Sequence, residues 1–303
     1  MRITVADAIS PSYFVAIAAV QLGYFKEEGV DMEFVFPPAD PSEALREGVV
    51  DFYGGSPYTG LHRFLGWRGG ALLCALSHYT YWFLAVRADL TFERGDVGAV
   101  RGLRLSASAL PGLTLKRLLE EAGIDLRRDN VQIVASPRRT SQNWAWDGVD
   151  ALERGVADGY WGNGLRADLG VKRGIARILL DVRRGDGPPA ARTWTFPALI
   201  TTERLMREQP DAAAGAVRAI VRTQRALRAD PQLAARAAQR LFPAEEAGLI
   251  AFEVARDVPF YDATITEEMV AHAARFAREM GVLEGEVRYG ELVATPLAPL
   301  WRG

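Results

Sequence analysis

Two short runs, Ser10-Pro11-Ser12-Tyr13 and Ser56-Pro57-Tyr58-Thr59, place hydroxyls and a proline where a strand should give way to a helix. Backbone N–H groups at a helix start, joined by serine hydroxyls, can hold a carboxylate, sulfonate or phosphate oxygen. The same residues make ordinary N-caps, so each run fits anion contact or simple capping. Two such starts on one edge would serve an anion better than either alone. Ser106, Ser108, Leu110 and Thr114 flank a third turn of this kind, and Tyr160-Trp161-Gly162-Asn163 ends a later strand. Asn163 can donate and accept, and Trp161 can supply the apolar wall that pockets need. Tyr13 and Tyr58 could stack on a ligand, and Trp194 could close over it. Tyr53 fits a core aromatic better. The candidate ligand contacts are therefore Ser10, Ser12, Tyr13, Ser56, Tyr58, Ser108, Tyr160, Trp161, Asn163 and Trp194.

This chemistry is capture rather than reaction. No nucleophile, base and metal set can be assembled from the sequence. Cys74 stands alone, and His62, His78 and His272 never fall at metal-ligand spacing, so neither a metal site nor a cofactor is expected. Cys74 sits in an apolar run where a lone cysteine is packing. The run from Arg138 to Trp146 could pair a guanidinium with a carboxylate, or could be a solvated loop with docked tryptophans. A formal net charge of -2 excludes the electrostatic footprint of a nucleic-acid binder. Gly69 to Val86 lacks Asp, Glu, Lys and Arg, but its centre, Ser77-His78-Tyr79-Thr80-Tyr81, is polar and β-prone. Two strands, Ala71–Leu76 and Tyr81–Val86, explain it better than a membrane helix.

The elements that must position these residues alternate. Ile3–Val5 reads as a strand, Tyr13–Leu22 as a helix closed by Gly23, and Asp31–Phe36 as a strand of period two. Ser42 should cap a short helix ending at Gly48, before a strand at Val50–Tyr53. A second unit begins near Asp96, with a strand at Gly102–Leu105, a helix at Leu113–Ala122 and a strand at Val131–Val134. Asp150–Arg154 is a short helix that leads into a strand entering Gly159–Gly164. The βαβ rhythm implies a mainly parallel sheet, with ligands at the strands' carboxyl edge. Ala44-Leu45-Arg46-Glu47-Gly48-Val49-Val50-Asp51-Phe52-Tyr53-Gly54-Gly55 echoes the segment from Ala151 to Gly162 at one constant offset. Two similar lobes follow from that echo; Asp51 and Asp158, paired by it, read as turn caps. Beyond Gly185-Asp186-Gly187-Pro188-Pro189 the chain turns helical, at Asp211–Arg228, Pro231–Leu241, Glu245–Arg256 and Glu267–Met280. This tail should pack back on the first lobe. The expected division is residues 1–88 plus 191–303 for lobe 1 and 89–190 for lobe 2, with chain crossings near Val86–Asp89 and Pro189–Thr195.

The segment from Leu22-Gly23-Tyr24-Phe25 to Met32-Glu33 and the segment Glu43–Asp51 resemble conserved blocks of nitrate/sulfonate/taurine-type periplasmic substrate-binding proteins. The resemblance implies a type II binding-protein fold: two α/β lobes, two crossing strands, and a ligand held in the cleft. It also implies an ABC-type importer as partner. Around Ser10-Pro11 and Gly54-Gly55 the chain is also similar to hydroxyphenyl-benzenesulfinate desulfinases of the same superfamily. Their cysteine nucleophile falls at Ser10 and their arginine at Phe52, and their histidine has no counterpart in Pro37–Ser42. The cysteine-rich run of thiamine-pyrimidine synthases is missing too.

The expected function is thus a solute-binding protein, monomeric and not an enzyme, that takes a small anionic ligand, with an aromatic one among the options. A cytoplasmic lyase or decarboxylase on this scaffold, or a ligand sensor, stays open as the alternative. No secretory leader is read at Met1–Val5, so the expected location is periplasmic if a leader stands upstream and cytoplasmic otherwise.

Overall fold

The computed structural model describes residues 1–8, 10–136 and 146–302. The chain divides into two compact units, Met1–Tyr79 with Thr193–Gly303, and Thr80–Arg192.

Unit 1 is built on β1 (Arg2–Val5), β2 (Glu33–Phe34), β3 (Phe52–Gly55), β4 (Gly70–Ala75) and a strand from after the return crossing, Ala198–Thr202. Unit 2 holds β5 (Phe83–Arg87), β6 (Arg104–Ala107), β7 (Gln132–Ala135), β8 (Gly159–Gly162) and β9 (Ala176–Asp181); Ala198–Thr202 is β10. The sheet orders are β2-β1-β3-β10-β4 and β7-β6-β8-β5-β9. These are one topology used twice. In each, parallel strands are interrupted by one antiparallel strand, and that strand is the first after a chain crossing.

The register repeats as closely as the order. β10 pairs Ala198 with Gly55 on one side and Ala75 on the other, as β5 pairs Phe83 with Gly162 and Asp181. Both antiparallel strands slip register after their second residue, between Leu199 and Ile200 and between Leu84 and Ala85. The slip leaves an extra residue on the partner strand, Leu73 in β4 and Leu179 in β9, as a β-bulge does. The Leu73 carbonyl is taken up by Trp301 Nε1 at 2.8 Å.

The echo found in the sequence is the helix Pro41–Arg46 with β3 in one unit and the helix Trp146–Glu153 with β8 in the other. Its paired aspartates do equivalent work. Asp51 accepts the Arg2 amide at 2.7 Å, and Asp158 accepts the Arg104 amide at 3.0 Å, each fastening the neighbouring strand where it begins. Asp158 is further gripped by the guanidinium groups of Arg104 and Arg87. The Arg104 bond outweighs the opposing desolvation and holds the Asp158 carboxyl below the usual carboxylate range.

The helical tail completes unit 1. Helix Pro210–Ala229 turns Ala213, Ala216, Val217, Ile220, Val221 and Leu227 inward at helical spacing. Gln224, in the same stripe, is buried and donates to the carbonyls of Ala75 and Leu76 at 3.0 Å, pinning the end of β4.

Several expectations need correcting. The first crossing lies at Tyr79–Thr80, ahead of the expected Val86–Asp89, because β5 pairs with β8 and β9 and so belongs to unit 2. Neither crossing is itself a strand; the return passes through a 3-10 turn, Pro189–Thr193. The helix Pro41–Arg46 is capped by Asp40, which accepts from the Glu43 amide, while Ser42 is buried and donates to the Gly60 carbonyl at 2.7 Å. Helix Gly164–Lys172 and β9 had no counterpart in the sequence reading. Among the described residues no helix is long and apolar enough to cross a membrane, and Gly70–Ala75 and Phe83–Arg87 are strands.

Candidate functional site

At the carboxyl edge of the unit 1 sheet, β1 leads into helix Pro11–Gln21 and β3 into the short helix Pro57–Gly60. The first of these helices is buried from Pro11 through Ala19. It has no polar face because the tail helices cover it. Pro11 suits the first helical position, where no N–H is needed. Ser10 occupies the N-cap position in extended conformation, yet its side chain makes no capping bond. Its Oγ is buried, the residue being 1% exposed, and has no hydrogen-bond partner among the described residues. A buried hydroxyl without a partner is an unfavourable arrangement. Here it stands at the positive end of a desolvated helix. Ser12 and Tyr13 lie buried in the first turn of the same helix. The Pro11 carbonyl accepts from Tyr261 Oη at 2.8 Å, a bond that steadies this turn.

The second turn is wired differently. Thr59 Oγ1 donates to the Ser56 carbonyl at 3.0 Å and lies 2.8 Å from Ser56 Oγ and 3.0 Å from Tyr53 Oη. With its own proton spent, Thr59 accepts from both hydroxyls. Ser56 is therefore an engaged group that would have to release Thr59 to donate to an anion. Tyr53 is core: its ring fills the space beside Gly55 and Gly60, where an added Cβ would lie 2.3 Å and 2.7 Å from its Cε1. Tyr58 and Trp194 do come together, through a residue the sequence reading missed. Phe276 meets Tyr58 edge-on with ring centres 5.8 Å apart, and stacks on Trp194 at 4.9 Å and 14°.

In unit 2 the matching helix is Ala109–Glu121, with Ser108 at its N-cap position, exposed and again making no capping bond. Trp161 is buried against that helix, its Nε1 donating to Thr114 Oγ1 at 2.9 Å. The indole is thereby a fixed wall. Unit 1 has Gly54 at the same register position and Ala16 on the facing helix, where a Cβ on Gly54 would already touch Val5 and Leu76 at 3.1 Å. Trp82 extends the wall, 5.8 Å from Trp161, and Tyr81 continues it 5.7 Å from Trp82. Neither was singled out in the sequence. Asn163 follows β8 and is 7% exposed. Ser106 points to Ser136, with oxygens 3.0 Å apart.

Tyr160 is a correction. Successive strand residues face opposite sides of a sheet, and Tyr160 turns away from Trp161 into the core with Phe83, Ala85, Leu152, Ala167 and Ala176. Gly148 and Gly170 leave room for its side chain; a Cβ there would lie 2.6 Å from its Cδ2 and 2.5 Å from its Oη. It is packing, as Tyr53 is in unit 1.

The remaining chemistry-bearing residues are committed elsewhere. His62 Nδ1 lies 2.9 Å from the Thr59 carbonyl and His78 Nε2 2.9 Å from that of Thr264. Cys74 is buried in β4, and burial pushes its thiol pKa up, leaving it unreactive. Among the described residues no group of His, Cys, Asp and Glu could hold a metal ion. The Arg138–Trp146 run, except Trp146, lies outside the described residues.

Residues 10–63 match the family model NMT1/THI5 like. No curated protein matches the chain. Among solved structures it is similar to the alkanesulfonate-binding protein SsuA from Xanthomonas axonopodis pv. citri bound to MOPS, with a TM-score of 0.72 at 15% identity over 97% of both chains. It is similar to the ligand binding component of an ABC-type import system from Staphylococcus aureus, with a TM-score of 0.73 at 13% identity over 99% of this chain and 97% of that one. The desulfurization enzyme DSZB also matches, with a TM-score of 0.63 at 13% identity over 98% of this chain and 97% of that one. The chain has the periplasmic-binding-protein fold, and the resemblance to its nitrate/sulfonate/taurine-type members, read first from the sequence, is supported by the family match and by the fold.

Proposed function

We propose that this chain is a solute-binding protein that captures a small organic anion and hands it to an ABC-type importer, with the carboxyl edge of the unit 1 sheet supplying the anion contact. The observation that carries the reading is Ser10: a buried hydroxyl with no hydrogen-bond partner among the described residues, at the start of a buried helix. That arrangement supplies a donor and a favourable dipole where a ligand oxygen can complete the bonding. In the same unit the aromatic groups Tyr58, Phe276 and Trp194 add the apolar surface that such a ligand needs. The alkanesulfonate-binding and import-system proteins that share the fold support the role. It calls for a periplasmic location, a permease as partner and no catalytic cofactor.

The match to DSZB keeps an enzymatic reading in view. A serine nucleophile needs an adjacent base. Ser10 Oγ has no hydrogen-bond partner among the described residues, and His62 Nδ1 and His78 Nε2 each lie on a backbone carbonyl, of Thr59 and Thr264. Binding without reaction is the better reading. The test is a thermal-shift and calorimetric screen of small sulfonates, carboxylates and nitrate, with product analysis of every hit. Saturable binding with the compound recovered intact supports the proposal; conversion of the bound compound overturns it.

A further inference from the structure

The two turns at the carboxyl edge of the unit 1 sheet follow neighbouring strands, β1 and β3, which stay joined as far as the Ala6 amide and the Gly54 carbonyl, 2.8 Å apart. Each turn holds one buried serine, and the two differ in where the hydroxyl proton goes. Ser10 Oγ has no hydrogen-bond partner among the described residues. Ser56 is 0% exposed, and its Oγ lies 2.8 Å from Thr59 Oγ1. Thr59 Oγ1 donates to the Ser56 carbonyl at 3.0 Å, and a carbonyl can only accept. The single threonine proton is used there, so Ser56 gives its own proton to Thr59. Thr59 is itself held in place. His62 Nδ1 lies 2.9 Å from its carbonyl, and Nε2 of the same ring lies 3.6 Å from Asp40 Oδ2. Tyr53 Oη donates to Thr59 Oγ1 at 3.0 Å. In unit 2 the matching tyrosine, Tyr160, donates to the Ala167 backbone carbonyl at 3.5 Å. The duplicated scaffold does not by itself call for a threonine acceptor.

We propose that Thr59 is a specificity-determining residue: by taking the Ser56 proton it withholds a second hydroxyl donor from the unit 1 edge, which admits a monoanion and disfavours a dianion such as sulfate. The inference rests on the solute-binding reading and narrows its ligand class. A dianion gives up more hydration than a monoanion on entering a buried site and needs more donors in return. Hydrogen bonds to charged groups are the strong ones, so a missing donor weighs most where charge is densest. Of the two serines, Ser10 alone keeps an uncommitted proton. For Ser56 to serve an anion it must first leave Thr59, and that bond is then lost. Selectivity of this kind acts against the wrong ligand rather than for the right one.

The experiment is calorimetry of the full chain with methanesulfonate and with sulfate at neutral pH. It compares wild type, Thr59→Val, and Thr59→Val combined with Ser56→Ala. Valine keeps the shape of threonine and removes the oxygen to which Ser56 donates. Wild type is expected to prefer methanesulfonate. Thr59→Val should tighten sulfate roughly 10-fold and methanesulfonate about 3-fold. Adding Ser56→Ala should abolish both gains, which a change in packing alone would not do. Should Thr59→Val fail to give a cooperative melt, Ser56→Ala alone carries the comparison: it should cost methanesulfonate several-fold less affinity than Ser10→Ala does. Equal losses from the two serines overturn the proposal. So do a Thr59→Val that gains nothing for sulfate, a gain that survives Ser56→Ala, and a wild type that prefers sulfate. In each of these cases an anion still binds, and the solute-binding reading stands. Failure of both anions to bind wild type and Thr59→Val alike overturns the role given to Thr59, and the broader screen then decides the function.

Discussion

Replacing Ser10 by alanine separates two accounts of the same residue by the sign of one number. If Ser10 caps its helix, the change should destabilise the protein by about 0.5–2 kcal/mol. The structure gives the opposite expectation. The side chain makes no capping bond, and its buried oxygen has no partner among the described residues. Removing an unsatisfied buried polar group relieves a penalty of about 1–3 kcal/mol, reduced slightly by the small volume lost. A net gain of about 1 kcal/mol is expected. For a body of the size of unit 1, that corresponds to a rise of roughly 2–4 °C in melting temperature. The assay is differential scanning calorimetry of wild type and S10A without ligand, fitting each transition separately because two units need not melt as one. The same variant should bind the preferred anion about tenfold more weakly, as loss of one hydrogen bond implies. A more stable protein that binds worse is the signature of a group held for a ligand. A fall in melting temperature of 2 °C or more would refute the reasoning and return Ser10 to the ordinary N-caps.

Other consequences are checked as directly. Asp158, held below its usual range by Arg104, stabilises unit 2 above the unfolded carboxylate pKa, and this contribution is lost as pH falls below about 4 through the folded value. Asp158→Asn should lower stability at pH 7 by about 1.5–3 kcal/mol, and the difference should shrink steadily as pH is taken below about 4, read by denaturant melts along that range. Gly148→Ala should destabilise by about 1–3 kcal/mol by forcing a methyl into the Tyr160 ring. Tyr160→Leu in the same chain should absorb much of that loss, and strict additivity of the two changes would show that they do not touch. Tyr261→Phe should lower stability by about 1 kcal/mol and weaken anion binding through the first helical turn, both read by calorimetry; unchanged affinity would leave the Pro11 bond a purely structural one.

The architecture was legible because it is periodic and repeated. The helix closed by glycine, the aspartate and the aromatic-glycine strand tip recur in both units, and the aspartates do the same fastening in each. Helices of the tail were legible from their spacing. The site was legible only in outline. Position in sequence could place Tyr160 and Trp161 at one strand tip, but the two-residue alternation sends one into the core and the other toward Thr114. Serine before proline announced an N-cap; only the structure shows that the side chains of Ser10 and Ser56 make no capping bond. Phe276 and Tyr261 come from the helical tail, hundreds of residues from the turns they adjoin, and no local pattern points there.

The most direct test is titration of the purified chain with a panel of small sulfonates, carboxylates and nitrate in a calorimeter, followed by chemical analysis of the cell contents. One compound should bind saturably with one-to-one stoichiometry, raise the melting temperature, and come back unaltered. A panel with no binder, or a bound compound recovered as product, would contradict the account.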